Sequence, residues 1–179
     1  MKRLLACALV ALAGCAAQPT GPVGNTGTIV GEPSAPRNRA RIHTELATLY
    51  YARGNMSVAL EELRTAVAAD PGYATAHGVF GLVYMELREN ALAESSFERA
   101  LGYAPGDPDI NHNFGWFLCQ IGREREATRY FRRALDTPLY ATPARSFAAA
   151  GTCALRTGEL GAAEENLQRA LRIEPNLPV

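Results

Sequence analysis

Four segments of this chain align with one another on small residues at fixed spacings, and this repetition constrains the fold more than any other feature of its 179 residues. Counting from the first residue of each segment, positions 20 and 27 are alanine in all four copies. Position 8 is small in every copy, with residues Ala47, Gly81, Gly115 and Gly151. Position 24 is bulky, with residues Leu63, Phe97, Phe131 and Leu167. Small residues opposite bulky ones let helices approach closely, so each segment is predicted to form an antiparallel helix pair.

The spacing of the segments matches a known helical repeat. The copies cover residues 40–73, 74–107, 108–143 and 144–177, so their starts are 34, 34 and 36 residues apart. A 34-residue period with this pattern resembles the tetratricopeptide repeat. The sequence therefore predicts an all-α fold, a right-handed solenoid of four helix-turn-helix repeats within residues 39–179. The two extra residues of the third copy are predicted near residues 136–143, where Pro138 and Pro143 indicate an extended or kinked connection.

Helix boundaries follow from the same alignment. The first helices of the repeats are predicted at residues 39–53, 73–87, 109–121 and 144–156. The second helices are predicted at residues 56–69, 91–102, 124–135 and 160–173. Position 32 is proline in three copies, which is typical of the end of a second helix.

The N-terminal residues indicate export. Lys2 and Arg3 precede a ten-residue apolar stretch, which is too short for a membrane-spanning helix of about 20 residues. The stretch ends in Leu-Ala-Gly-Cys, which resembles the bacterial lipobox and predicts a signal peptide at residues 1–14 and lipidation of Cys15. A plain secretory signal with a coincidental cysteine is the alternative.

The residues after Cys15 are predicted to be a flexible tether, residues 15–38. Four Gly and four Pro lie among residues 16–38, with almost no periodic apolar pattern. Cys15 is followed by Ala16 and Ala17 and not by aspartate, which would be an inner-membrane signal. In this respect the sequence resembles Gram-negative lipoproteins that are sorted to the outer membrane. We therefore expect a lipid-anchored protein on the periplasmic side of the outer membrane.

Composition and motifs argue against several functions. The 18 basic residues balance the 18 acidic residues, which disfavours a nucleic-acid partner. No glycine-rich phosphate loop is present, and His43 and His77 fall at packing positions. We expect no cofactor, metal site, small-molecule substrate or enzymatic activity.

An arginine-rich run on the predicted second helix of the third repeat has two interpretations. Its basic residues are Arg123, Arg125, Arg129, Arg132 and Arg133, with Glu124 and Glu126 between them. It is either a solvated, salt-bridged face or a contact surface for an acidic partner.

Two cysteines, Cys119 and Cys153, lie late in consecutive first helices. These helices are predicted to pack side by side, and an exported chain encounters an oxidising compartment. A disulfide between them requires Cα atoms within about 7 Å. The alternative is two buried free thiols.

Three motifs carry a closer resemblance. They are Asn-His-Asn-Phe-Gly-Trp-Phe-Leu-Cys at residues 111–119, Asp-Thr-Pro-Leu-Tyr-Ala-Thr-Pro at residues 136–143, and Ala-Gly-Thr-Cys-Ala-Leu at residues 150–155. Together they resemble the PilF/PilW family, the lipoproteins of type IV pilus biogenesis. The resemblance implies an outer-membrane pilotin that binds the pilus secretin subunit, supports its localisation or multimerisation and stabilises pili. It also implies that Cys119 pairs with Cys153.

The predicted array of four repeats is shorter than the array that the resemblance implies, which has about six repeats. In addition, no polar capping helix follows residues 160–173. We therefore expect a C-terminally truncated member of the family, or an end covered by a partner.

A partner is expected on the first helices, which line the concave surface of this repeat class. The predicted contact residues occupy positions 2, 5, 9, 12 and 13 of the repeats. They are Arg41, Thr44, Thr48, Tyr51, Leu82, Met85, Glu86, Asp109, His112, Trp116, Gln120, Arg145, Thr152 and Arg156. Tyr51, Leu82, Met85 and Trp116 form an apolar stripe suited to an extended or helical peptide. Trp116, the single tryptophan, is either a binding anchor or a packing residue between repeats.

Two other functions remain open from sequence. One is a generic periplasmic adaptor that recruits cell-wall enzymes. The other is a hydrolase in the groove using His112 and Asp109, which are three residues apart on one helix, although no nucleophile is evident nearby.

Overall fold

The computed structural model describes residues 34–177. Over that range the chain forms eight α-helices and no strand. They are α1 (Ala35–Ala52), α2 (Met56–Ala69), α3 (Ala74–Glu86), α4 (Asn90–Tyr103), α5 (Pro108–Gln120), α6 (Glu124–Leu135), α7 (Pro143–Thr157) and α8 (Leu160–Ile173). The predicted signal peptide, Cys15 and tether residues 15–33 lie outside the described residues.

The helices agree with the sequence alignment within one or two residues, except at the start of α1. This helix begins at Ala35, so residues 35–38 are helical where a tether was predicted. Pro36 lies in the first turn, where a missing backbone N–H costs nothing, and the Asn38 N–H donates to the Ser34 carbonyl. The proline that indicated a linker is therefore part of a helix start.

Each repeat is held together by the packing of its second helix against the small residue at position 8. A Cβ added to Gly81 of α3 would lie 2.6 Å from the buried Phe97 ring of α4. A Cβ added to Gly151 of α7 would lie 2.7 Å from the Leu167 side chain of α8. The small–bulky pairing seen in the sequence is thus a direct contact between the two helices of a repeat.

The turn between the two helices of each repeat contains a residue in the left-handed conformation at position 15. Three copies use glycine there, namely Gly54 (φ 76°), Gly122 (φ 82°) and Gly158 (φ 77°). The second repeat has Arg88 with φ 62°. The common φ shows that all four turns follow one backbone path despite the change of residue.

Repeats join through their first helices. Helices α1, α3, α5 and α7 contact one another in sequence order, and each second helix contacts the first helix of the next repeat. The core between repeats is aromatic, and the Phe97 ring lies 5.5 Å from Phe114 and 5.7 Å from Phe117. This packing places the first helices in one continuous layer, which forms the wall of the site described below.

The connection between α6 and α7 occupies residues 136–142, longer than the four-residue connections at 70–73 and 104–107. Leu139 has φ 60° and a fully exposed side chain. The Tyr140 hydroxyl lies 3.1 Å from Oγ of Ser146 on α7, so the inserted residues are tied back to the helix layer.

No membrane-spanning helix occurs within residues 34–177, because each helix there is too short or too polar to cross a bilayer.

Candidate functional site

The first helices line an open groove of about 500 Å³. Tyr51 comes from α1, and every other helical residue of its wall comes from α3, α5 or α7. Apolar side chains cover most of the surface, with a few polar groups at fixed places. A concave, largely apolar surface of this kind fits a peptide segment. The lining residues are Tyr51, Leu82, Met85, His112, Asn113, Trp116, Arg145, Ala148, Ala149, Thr152 and Leu177.

Half of the predicted contact residues lie together in this groove. They are Tyr51, Leu82, Met85, His112, Trp116, Arg145 and Thr152. Trp116 is half-buried: it lines the groove and also packs on the aromatic core, as the packing interpretation predicts, while its role as a binding anchor stays a prediction.

Three predicted residues of α1 lie outside the groove wall. Thr44 is 3% exposed and its hydroxyl donates to the Ala40 carbonyl, so it packs inside the repeat and presents no surface. Thr48 donates to the Thr44 carbonyl, and the Arg41 guanidinium pairs with Glu45 at 2.7 Å. Only Tyr51, near the C-terminal end of α1, joins the wall.

Four further predicted residues lie beside the groove without lining it. Arg156 donates to the Cys119 carbonyl at 2.8 Å and to the Gln120 side chain at 3.2 Å, which ties α7 to the C-terminal end of α5. Asp109 is exposed in the first turn of α5. Glu86 is exposed at the end of α3. Burial and the Glu86 carboxylate raise the pKa of Tyr51, which places this negative charge near the groove.

Position 6 of the repeat was missing from the predicted set. Asn113 and Ala149 both occupy it and both line the groove. Position 6 lies four residues after position 2 and three before position 9, so helical spacing places it on the same face. That spacing could have identified the position from sequence. Leu177 follows α8, and no repeat position pointed to it.

His112 forms the polar wall of the groove. Its Nδ1 lies 2.9 Å from Oγ of Ser146, which also lies 3.1 Å from the Tyr140 hydroxyl. Burial, with a smaller contribution from the positive charge of Arg145, lowers the pKa of His112 to about 4. The imidazole is therefore neutral at neutral pH and serves as a hydrogen-bonding group.

This arrangement bears on the hydrolase hypothesis. The sequence shows no nucleophile near His112, whereas the structure places the Ser146 hydroxyl within hydrogen-bonding distance. However, Ser146 has no exposed surface, so a substrate in the groove has no access to its oxygen. The hydrogen bond of His112 goes to Ser146 and not to Asp109. The trio of His112, Ser146 and Tyr140 joins α5, α7 and the inserted connection.

Cys119 of α5 and Cys153 of α7 are joined by a disulfide, with their Cα atoms 5.8 Å apart. Both residues are buried. With the Arg156 contacts, the disulfide fixes α5 against α7 near their C-terminal ends, whereas His112, Ser146 and Tyr140 join them near the start of α7.

His43, His77 and Asn111 serve helix packing. His43 Nδ1 lies 2.6 Å from the Glu62 carboxylate on α2, and His77 Nε2 lies 2.8 Å from the Pro71 carbonyl. Asn111 is buried and donates to the Pro105 and Asp107 carbonyls. No group of three His, Cys, Asp or Glu side chains suited to a metal ion occurs within residues 34–177.

The arginine run is partly paired. Arg123, which immediately precedes α6, donates to Glu126 on α6 and to Glu94 on α4, which connects the second and third repeats. This pairing raises the pKa of Arg123 and lowers that of Glu126. The guanidinium of Arg129 lies 4.7 Å from the Tyr130 ring. The first interpretation, a salt-bridged face, describes Arg123 and Arg129, while Arg132 and Arg133 are exposed.

Comparison with known proteins agrees with this architecture. Models of the tetratricopeptide repeat match residues 44–109 and residues 144–177, which together make up more than half of the chain. The chain is a tetratricopeptide-repeat protein. The prediction of an all-α repeat fold is therefore confirmed.

The protein is also homologous to pilus biogenesis proteins. It is 29% identical over 163 residues to the type IV pilus assembly protein PilF of Pseudomonas aeruginosa, covering 87% of this chain and 65% of PilF. The crystal structure of PilW, described as a widely conserved type IV pilus biogenesis factor, matches with 35% identity and a TM-score of 0.73. That match covers 76% of this chain and 62% of PilW.

A solved structure of Pseudomonas aeruginosa PilF matches with 28% identity and a TM-score of 0.77, covering 80% of this chain and 64% of that one. The chain of this protein thus spans slightly less than two thirds of the length of these relatives. The resemblance to the PilF/PilW family that the three motifs indicated is confirmed as homology.

Proposed function

We propose that this protein acts in type IV pilus biogenesis as a non-catalytic scaffold that binds the pilus secretin subunit. In this role it supports localisation of the secretin or its assembly into a multimeric pore, and so stabilises pili. The observation that carries the proposal is the homology to PilF and PilW over most of the chain. The groove adds a surface with the shape and apolar character of a peptide-binding site.

The proposed location is the periplasmic face of the outer membrane. The support is the sequence of residues 1–17, with Cys15 as the site of lipidation. Several acyl chains, each contributing about 0.8 kcal/mol per buried CH₂, would anchor the protein stably. A Cys15→Ser variant is expected to leave the outer-membrane fraction, while the parent chain remains in it. Equal recovery of both proteins from that fraction would argue against the lipid anchor.

The central experiment identifies the partner in cells. The full precursor, with a photo-crosslinking amino acid at Thr152 in the groove, is expressed in a piliated Gram-negative host and recovered from membranes after irradiation. We expect the secretin subunit in the crosslinked product. A matched probe at Thr128, exposed on α6 away from the groove, is expected to give little of it. Recovery of a cell-wall hydrolase in place of the secretin would support the adaptor alternative and overturn the proposal.

A matched pair of leucine variants tests whether the groove is the binding surface. Leu82 lines the groove, whereas Leu92 lies on α4 in a separate surface depression. Leu82→Ala is expected to reduce the yield of crosslinked secretin several-fold, and Leu92→Ala to leave it unchanged. Similar yields from both variants would place the secretin contact elsewhere on the protein.

A further inference from the structure

The groove has an uneven charge distribution. Of the eleven side chains that line it, Arg145 at the start of α7 is the only one charged at neutral pH, because His112 is neutral there. The remaining lining residues are apolar or uncharged polar groups. A single fixed cation in an apolar surface selects partners by charge as well as by shape.

Among the described residues, Arg145 has no protein partner for its charge. It is exposed, and it forms neither an ion pair nor a side-chain hydrogen bond within residues 34–177. Arg156, eleven residues later on the same helix, differs because its guanidinium is bonded to the Cys119 carbonyl and to Gln120. The free guanidinium is therefore a feature of Arg145 and not of every arginine on α7.

The guanidinium of Arg145 is close to the polar wall of the groove. Its positive charge contributes to the lowered pKa of His112, whose ring is one of the lining groups. Near Tyr51 the nearby charge is the Glu86 carboxylate, which has the opposite sign. A bound segment would thus meet a positive charge at α7 and a negative charge near Tyr51.

We propose that the groove binds a protein segment whose apolar side chains contact Leu82, Met85 and Trp116 and whose aspartate or glutamate pairs with Arg145. This inference rests on the proposed function, since it names the chemistry of the segment that the groove takes. The apolar contacts supply most of the affinity, and the acidic side chain fixes the register of the segment. Guanidinium–carboxylate geometry favours a paired contact over a diffuse attraction.

The experiment uses the only tryptophan of the chain as its reporter. Tryptophan-free synthetic peptides that tile the secretin subunit of the same genome are titrated into the purified protein, and the emission of Trp116 is followed. Each binding peptide that contains an acidic residue is then resynthesised with Asn or Gln at that residue.

The amide peptide is expected to bind the parent protein about three- to tenfold more weakly than the acidic peptide at low salt. Arg145→Ala should bind both peptides equally. Arg64→Ala, which removes an exposed arginine from α2, serves as the charge-matched control and should discriminate between the peptides as the parent does. Arg145→Glu should prefer a peptide in which lysine replaces the acidic residue. The difference between the peptides should shrink as salt is added.

The outcomes separate the inference from the proposed function. Equal binding of acidic and amide peptides to the parent protein, or retained discrimination by Arg145→Ala, would overturn the pairing with Arg145 while secretin binding stands. If no secretin peptide changes the emission of Trp116, both the inference and the groove as the secretin site are overturned.

Discussion

Nδ1 of His112 and Oγ of Ser146 lie 2.9 Å apart and join α5 to α7 directly beside the groove. Both residues are buried, and the Tyr140 hydroxyl shares the same serine oxygen. The inserted connection that distinguishes the third repeat is thereby coupled to a residue that lines the groove. Changes to His112 are therefore expected to affect the stability of the helix layer as well as the surface offered to a partner.

The first prediction concerns pH. The pKa of His112 is lowered from 6.5 to about 4 in the folded chain, so the unfolded state takes up a proton before the folded state does. The contribution of this neutral histidine is fully present above pH about 6.5 and is lost as pH falls towards 4. The loss is on the order of 3 kcal/mol of the free energy of unfolding.

Urea denaturation at a series of pH values between 4 and 7.5 measures this dependence. His112→Gln is expected to show a shallower dependence in that window, because the titrating group is absent. An unchanged slope in the variant would assign the pH dependence to other groups.

The second prediction concerns the disulfide between Cys119 and Cys153. It closes a loop with a sequence separation of 34 residues, for which the chain-entropy model gives a stabilisation of about 2–4 kcal/mol. Reduction is expected to lower the free energy of unfolding of the parent chain by this amount. The double variant Cys119→Ser/Cys153→Ser should be equally destabilised and insensitive to reductant. Two free thiols at these positions in the unreduced protein, detected by mass spectrometry of alkylated peptides, would contradict the pairing.

The third prediction uses the left-handed residue at position 15. Arg88 adopts φ 62°, where a side chain is strained, while the equivalent Gly54 adopts φ 76° without strain. Arg88→Gly is expected to raise the free energy of unfolding by about 0.5–1 kcal/mol, and Gly54→Ala to lower it by about 1 kcal/mol. Chemical denaturation of both variants tests this, and a loss of stability in Arg88→Gly would show that its side chain contributes more than the strain costs.

The fourth prediction compares two helical glycines. At Gly81 an added methyl group meets the buried Phe97 ring at 2.6 Å, whereas nothing lies within 4 Å of a methyl group at Gly102. Gly81→Ala is expected to destabilise the fold by about 1–3 kcal/mol through overpacking. Gly102→Ala should stabilise it by roughly 0.5–1 kcal/mol through helix propensity. If thermal denaturation gave the same sign for both variants, the close approach of α3 and α4 would not be the deciding factor.

The fifth prediction concerns Trp116. Truncation to alanine removes the largest side chain of the groove wall and is expected to weaken secretin binding by more than about 1 kcal/mol while the fold survives. Isothermal titration measures the affinity, and far-ultraviolet circular dichroism reports on the fold. Tyr103→Ala, which truncates an aromatic side chain exposed on α4, should leave the affinity unchanged. Unchanged affinity in Trp116→Ala would remove this residue from the binding site.

The sequence alone determined the repeat architecture, because close helix packing requires a small residue at the same position of every repeat. Ala47, Gly81, Gly115 and Gly151 are small since a bulky residue of the partner helix packs against each, as the Gly81–Phe97 contact shows. The small residue and the bulky residue are separated by the same number of positions in each repeat, so the pairing is visible in the sequence without a structure. The start of α1 was the exception, because Pro36 is equally compatible with a linker and with a first helical turn.

Only the tertiary structure decided which first-helix residues form the groove. Thr44, Trp116 and Arg156 were predicted on the same grounds, yet Thr44 is buried within its repeat and Arg156 is bonded to α5. Trp116 alone of these three lines the groove. Even equivalent positions differ in whether they line the groove: at position 9, Trp116 and Thr152 line it and Thr48 does not, because α1 contributes only its C-terminal end.

The hydrogen bond between His112 and Ser146 shows the same limit. The two residues are 34 positions apart and occupy different repeat positions, so no spacing rule connects them. The packing of α5 against α7, with the inserted connection between α6 and α7, places them together. Local spacing determines how each repeat folds, whereas the surface offered to a partner depends on contacts between repeats that exist only once the chain is folded.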